Sequence, residues 1–236
     1  MIRMDLVHGE EIMEVLKTFR HEFKYRISYD EMLRLKSKLD DVLDVDRSSS
    51  GYLVRSLYFD SVNDDDYYDK LGGEIKRKKI RLRIYEVNSN FVKLEIKNKY
   101  DIHQLKKSLV IDKKTAKKLI NGEYGSLLDY EDEVAYEIYN IMQCGVYKPK
   151  VIIEYTRIAY VGGTTTRITF DYDIKCSNDV DSFFDDDINY FDISDKKDVI
   201  LEVKFDRFLE PYLSNILSSY INRFESVSKY VMGRNV

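Results

Sequence analysis

From Lys79 to Lys99, KIRLRIYEVNSNFVKLEIKNK, apolar and charged residues alternate with a period of two, which marks strands with two unlike faces. Ile80, Leu82 and Ile84 share one face, and Lys79, Arg81, Arg83 and Tyr85 share the other. After the Asn- and Ser-containing stretch Val87 to Asn90, Val92, Leu94 and Ile96 stand opposite Lys93, Glu95, Lys97 and Lys99. The pair predicts an antiparallel hairpin with one apolar and one cationic face.

The same alternation predicts a strand from Phe19 to Ile27, with Arg20, Glu22, Lys24 and Arg26 on its charged side. Residues 1–18 fit a short helix or an arm. Ser28-Tyr29-Asp30-Glu31 matches a capping box and predicts a helix to about Leu43. GYLVRSLYFD, Gly51 to Asp60, reads as a strand that places Ser56, Tyr58 and Asp60 together. Leu105 to Ile111 is a strand whose register leaves open whether Lys106 or Lys107 takes the polar side. Asp112 caps a short helix ending at Asn121-Gly122, and Val134, Ile138 and Ile141 mark another from Glu131 to Gln143. In the strand Val151 to Tyr160, Arg157 shares a face with Val151, Ile153 and Tyr155. Past Gly162-Gly163, Arg167, Thr169, Asp171 and Asp173 alternate with Ile168, Phe170, Tyr172 and Ile174. Cys176 to Asp187 is expected to be a rim loop. A last strand sets Val199, Leu201, Val203 and Phe205 against Glu202 and Lys204, and one helix is expected from Pro211 to Tyr230. With no long linker, residues 1–236 read as one domain.

Composition narrows the function. The net charge of −4 from 38 basic and 42 acidic residues does not suit a general nucleic-acid binder, so any anion site must be local. Two cysteines and three scattered histidines fit neither a disulfide framework nor a His-based metal site or triad. No stretch approaches the ~20 apolar residues of a membrane span, and a cytoplasmic protein without direct membrane insertion is expected.

Like charges on adjacent strands repel, so the cationic faces need an explanation. An open sheet could leave them in water, screened at little cost; a closed barrel could turn them inward around a wet lumen. The excess of Lys and Arg, with one Glu in each of several strands (Glu22, Glu95, Glu202), favours the second arrangement. It suits a polyphosphate together with a hard divalent cation.

Glu22-Phe23-Lys24, Lys79-Ile80-Arg81-Leu82-Arg83, Glu95-Ile96-Lys97, Arg157 and Glu202-Val203-Lys204 resemble the strand motifs of the triphosphate tunnel metalloenzymes. SLYFD at Ser56 to Asp60, RIAY around Arg157 and Ser228-Lys229-Tyr230 are most similar to the VTC domain, the catalytic module of polyphosphate polymerases. The resemblance runs from Arg20 to Gly233. It implies an α+β fold: a closed antiparallel eight-stranded barrel with helices packed outside. It also implies transfer of the γ-phosphate of ATP to a growing polyphosphate chain with Mn2+ or Mg2+. Carried over by position, Arg81, Arg83, Lys97 and Lys204 are the catalytic cations. Lys24, Tyr58, Lys99, Lys107, Arg157, Arg167 and Lys229 bind substrate, and Glu202, Glu22 and Glu95 are the metal candidates. Arg167 could instead partner Asp171. Triphosphate hydrolysis and non-catalytic polyphosphate binding stay open as alternatives. Unlike eukaryotic members with a regulatory domain and membrane helices, this chain reads as a free-standing enzyme.

Overall fold

Two-faced strands need a cover for the apolar side, and the helices supply it. The computed structural model describes residues 20–101, 103–163, 165–221 and 224–236; the expected arm or helix over residues 1–18 lies outside them. The chain is α+β, in the order β1 (Arg20–Ser28), α1 (Tyr29–Asp40), β2 (Asp44–Asp46), β3 (Tyr52–Asp60), α2 (Asp65–Gly72), β4 (Lys76–Ile84), β5 (Phe91–Tyr100) and β6 (His103–Asp112). Then come α3 (Lys113–Ile120), α4 (Glu133–Cys144), β7 (Lys148–Gly162), β8 (Thr166–Ser177), β9 (Phe191–Asp192), β10 (Asp198–Asp206), α5 (Pro211–Leu217) and α6 (Lys229–Arg234). The capping box forms as expected: Glu31 N donates to Ser28 Oγ at 3.2 Å, and Ser28 N to Glu31 Oε2 at 2.8 Å.

The main sheet runs β1-β10-β8-β7-β3-β4-β5-β6, with β2 added to β7 and β9 to β8. All described pairings are antiparallel. Its convex face is apolar. Leu57, Ile80, Leu82, Leu94 and Ile96 pack under α3 and α4 through Ala116, Leu119, Ala135, Ile138 and Met142. Ile158, Ile168, Phe170 and Leu201 pack under α1 and α5 through Met32, Leu35, Leu39, Leu213 and Leu217. Each such side chain, once buried, contributes on the order of 1.5–3 kcal/mol, so the strand alternation fixes which face turns toward the helices.

The expected closed barrel is not the sheet that forms. β1 and β6 are the two ends of the ladder, and no backbone pairing joins them among the described residues. The free side of β1 is taken by the C-terminal segment: Phe224 bridges Tyr25, and Glu225 N donates to Lys24 O at 2.9 Å. The sheet nevertheless curls until β5 meets β1 through side chains, with Lys97 Nζ 3.2 Å from Glu22 Oε2.

Three further expectations change. The helix foreseen from Pro211 to Tyr230 is two helices, because Phe224 and Glu225 between them pair with the edge of β1, and Ser228 then caps α6, accepting from Val231 N at 3.3 Å. The expected rim loop folds into a 3-10 turn, Val180–Phe184, whose two phenylalanines enter the convex core. Buried Arg55 fastens it by donating to the carbonyls of Phe183 (3.0 Å) and Asp185 (2.7 Å). In β8 the alternation breaks at Asp173, which has φ +52°, beside a register shift between Glu154 and Thr156. Such a bulge flips the facing of the residues beyond it, and Ile174 joins the concave cluster of Ile153 and Tyr155. Among the described residues no helix is long and apolar enough to cross a membrane.

Candidate functional site

Register brings the charged positions together on the concave face. Arg81 lies between Tyr58 and Glu95, Arg83 opposite Ser56, Glu22 opposite Lys204, and Lys24 opposite Glu202. Three ion clusters result.

The first is centred on Glu95, 1% exposed. Arg81 Nε donates to Glu95 Oε2 at 2.7 Å, Arg83 Nη1 stands 3.9 Å away, and Lys106 pairs with the other oxygen. Burial alone would push this carboxyl up, but Arg81, Arg83 and Lys106 outweigh it and hold it well below the usual carboxylate range. Arg81 also donates to Tyr58 Oη at 2.9 Å, and Arg83 to Ser56 Oγ at 3.1 Å and Tyr155 Oη at 3.3 Å. Both guanidiniums are thus pre-oriented before any ligand arrives.

The second cluster joins β1, β10 and β5. Lys24 Nζ lies 3.2 Å from Glu22 and 3.6 Å from Glu202, while Lys204 pairs with Glu202 and stands 3.7 Å from Glu22. Burial and the neighbouring Glu202 push the Glu22 carboxyl up, yet Lys204, Lys24 and Lys97 bring it down to about 2. The third cluster is Asp171, fully buried on β8. Arg157 grips it in bidentate fashion at 2.6 and 2.7 Å, and Lys229 Nζ donates to Oδ2 at 2.7 Å. Against the upward push of burial, those two cations hold Asp171 at about 2.

The sequence model of one family, the VTC domain, matches residues 19–236. The chain belongs to the VTC domain family. A comparison with curated proteins gave no match. Among solved structures, a candidate adenylate cyclase from Vibrio parahaemolyticus shares the fold, with TM-score 0.52, 13% identity, and coverage of 91% of this chain and 97% of that one. The PH1819 protein of Pyrococcus horikoshii aligns at TM-score 0.47, with 14% identity over 90% and 97% of the two chains. The Mimivirus capping enzyme triphosphatase aligns at TM-score 0.39, with 11% identity over 86% and 88%.

Most of the cations expected in this VTC domain, Lys24, Arg81, Arg83, Lys97, Arg157, Lys204 and Lys229, meet in the three clusters, with Tyr58 among them. Arg167 faces the same side but bonds Asp46 of β2 at 2.5 Å rather than Asp171. Lys107 is a correction. It pairs with Ile96, whose side chain is convex, so it reaches Glu137 of α4 at 2.6 Å while Lys106 takes the concave position beside Glu95. Lys99 lies at the mouth.

That mouth is a cavity of about 140 Å³ whose lining includes Lys70, Arg77, Lys79, Lys99, Glu22 and Ser226. Lys70 and Arg77 escape a reading of the sequence because α2 carries no cationic periodicity and the strand pattern begins only at Lys79.

Asp60 is legible in the sequence as a concave residue but not as an anchor. Its carboxylate accepts from the backbone N–H of Ser61 (2.8 Å), Asp66 (2.9 Å) and Tyr67 (3.0 Å), and also from the Tyr230 hydroxyl. One buried group therefore ties α2 to α6 and seats Lys229. Gly233 lets α6 lie this close, since a Cβ there would collide with Ile153 Cδ1.

For a metal ion, the donor set is two carboxylates. Glu22 and Glu202 share Lys24 and Lys204 as neighbours, whereas Glu95 is committed to a separate cluster. Among the described residues no group of three or more His, Cys, Asp or Glu forms a ready-made site. Two carboxylates fit a hard divalent cation, whose remaining ligands would have to come from the substrate and water.

Proposed function

We propose that this VTC domain is a cytoplasmic polyphosphate polymerase that moves the γ-phosphate of ATP onto a growing polyphosphate chain along the concave face. The observation that carries this reading is that Glu22, Glu95, Glu202 and Asp171 are each clamped by cations and held below the usual carboxylate range. A water-activating carboxylate needs a pKa nearer the working pH, and none of these four offers it; Asp66, which burial pushes up to about 6, is turned away to Lys78 and the Tyr147 hydroxyl of the convex core. A polyphosphate acceptor is already an oxyanion and needs no base.

In this reading Arg81, Arg83, Lys97 and Lys204 neutralise charge on the transferring phosphoryl group. Lys24, Tyr58, Lys99, Arg157, Arg167 and Lys229 position the donor and the chain. The acceptor's terminal oxygen attacks Pγ, a new P–O bond forms, the bond between Pγ and the β,γ-bridging oxygen breaks, and ADP leaves with that oxygen. Catalysis rests on positioning and electrostatics, as phosphoryl transfer generally does. Glu202 and Glu22 would hold the Mn2+ or Mg2+ ion, which when bound would supply further neutralisation of phosphate charge.

Incubating the protein with ATP and Mn2+ and resolving the products by length tests the reading. Chains of many phosphates support it. Orthophosphate alone would make the protein a triphosphatase, and unchanged ATP with measurable affinity would make it a binding module.

A further inference from the structure

Lys79 stands apart from the other cations of the mouth. Its Nζ donates to Ser228 Oγ at 2.8 Å and lies 5.9 Å from the Tyr230 ring, and among the described residues it has no carboxylate partner. Its neighbours differ: Lys24 and Lys97 contact Glu22, and Lys78 contacts Asp66 at 3.1 Å. Around the amine stand the cations Lys24 of β1, Lys70 of α2, Arg77 and Arg81 of β4, and Lys97 and Lys99 of β5, with the Tyr230 ring of α6, Gln104 of β6 and Glu225 of the C-terminal segment completing its surroundings. The nearby carboxylates are engaged, Glu22 by Lys24 and Lys97, and Glu225 by Arg26 at 3.4 Å.

We propose that the mouth cavity binds small phosphorylated aldehydes, holding the phosphate on Lys70, Arg77 and Lys99 while Lys79 Nζ captures the carbonyl carbon as an imine. Among the described residues Arg77 and Lys99 form no ion pair, and Lys70 only donates to Ser226 Oγ at 2.8 Å, so all three are free to take a phosphate. They also neutralise it, which limits the field it exerts on the amine. Burial first, then Lys24, Lys70, Lys97 and Arg81, push the Lys79 amine down to about 7, which leaves a nucleophilic free base near neutrality. The amine lone pair attacks the carbonyl carbon, and the carbonyl oxygen takes up protons and departs as water. The product is a C=N bond, with no oxidant or reductant required. An adduct here would block the mouth, so the site would act as a brake read by phosphorylated carbonyl compounds. This inference rests on anion binding at the mouth and not on which reaction the domain performs.

The probe is glycolaldehyde phosphate with cyanoborohydride, which fixes the imine as a secondary amine, followed by peptide mapping in the mass spectrometer. Lys79 is expected to label more than about tenfold faster at pH 7 than exposed Lys196, because an ordinary lysine is almost wholly protonated there. Its labelling should rise with pH to half-maximum near 7, fall in the presence of inorganic triphosphate, and vanish in Lys79→Arg. Unphosphorylated glycolaldehyde should keep only the part of the preference that the free amine gives and lose the part that the phosphate cradle of Lys70, Arg77 and Lys99 gives. Adducts spread over exposed lysines, equal selectivity with both aldehydes, or a labelling midpoint above pH 9 would each overturn the proposal. Labelling needs no turnover, so these outcomes are independent of the ATP assay.

Discussion

Asp171→Asn isolates the third ion cluster. In the wild type one fully buried carboxylate answers both Arg157 and Lys229. A carboxyl held at about 2 instead of 3.8 adds about 2 kcal/mol of stability at neutral pH. Leaving two buried cations without their partner raises the cost of its removal towards roughly 3–5 kcal/mol. At about 2–4 °C per kcal/mol for a chain of this size, the midpoint of thermal unfolding should fall by roughly 10 °C. Because the folded pKa is depressed, this contribution is complete above the unfolded value of 3.8 and is lost as pH falls towards about 2. Chemical denaturation of wild type and variant should therefore show a gap that narrows as the pH drops below about 4. The variant also frees Arg157 and Lys229 for phosphate, so inorganic triphosphate should raise its melting temperature more than it raises that of the wild type. A loss below about 2 °C at pH 7, or a ligand shift no larger than wild type's, would show that the two cations are solvated and not committed to Asp171.

Arg83→Ala and Lys97→Ala should each lower turnover of ATP by roughly 10²–10³, the scale of removing one oriented donor, while circular dichroism stays native; unfolding of either variant would count against their assignment as ligand groups. Glu202→Gln should raise the concentration of Mn2+ needed for half-maximal nucleotide turnover, with Glu22→Gln additive or weaker, and an unchanged metal titration would remove Glu202 from the metal's donors. Lys79→Met should stabilise the ligand-free protein at pH 6. The folded pKa of Lys79 is lowered, so its charge opposes folding most below about pH 7 and the gain should shrink as pH rises towards 10; a gain that is flat with pH would refute the burial-driven shift.

Much of this fold is readable from one sequence, because a period of two states both the element and its facing. Ile80, Leu82 and Ile84 against Arg81 and Arg83 need no further information to place them on opposite sides. The difficulties lie where local pattern gives way to long-range partners. Lys106 and Lys107 are adjacent cations before an apolar run, and only the pairing of Ile96 with Lys107, with Glu137 waiting on α4, decides between them. The inversion at Asp173 depends on a left-handed residue that an Asp tolerates without announcing it. Asp60 reads as one more polar strand residue, since the N–H groups and hydroxyl it collects come from α2 and from Tyr230, 170 positions away. Barrel closure is not legible at all, because it turns on whether β6 or the C-terminal segment reaches the edge of β1.

That edge has a consequence for how a long substrate would be handled. A cylinder zipped shut by main-chain bonds can be threaded only from its ends. Here, among the described residues, β5 meets β1 through the Lys97–Glu22 pair at 3.2 Å, partly open to solvent, and the C-terminal segment on the β1 edge is held to the far side by Lys70 on Ser226 Oγ and Lys79 on Ser228 Oγ, each at 2.8 Å. A seam made of one ion pair and a few side-chain hydrogen bonds from lysines parts more readily than a backbone ladder when a competing polyanion offers Lys97, Lys70 and Lys79 a better partner, and salt weakens it further. The molecule is then less a pipe than a clasp: the middle of a chain could be laid in sideways, with the loading step itself sensitive to ionic strength.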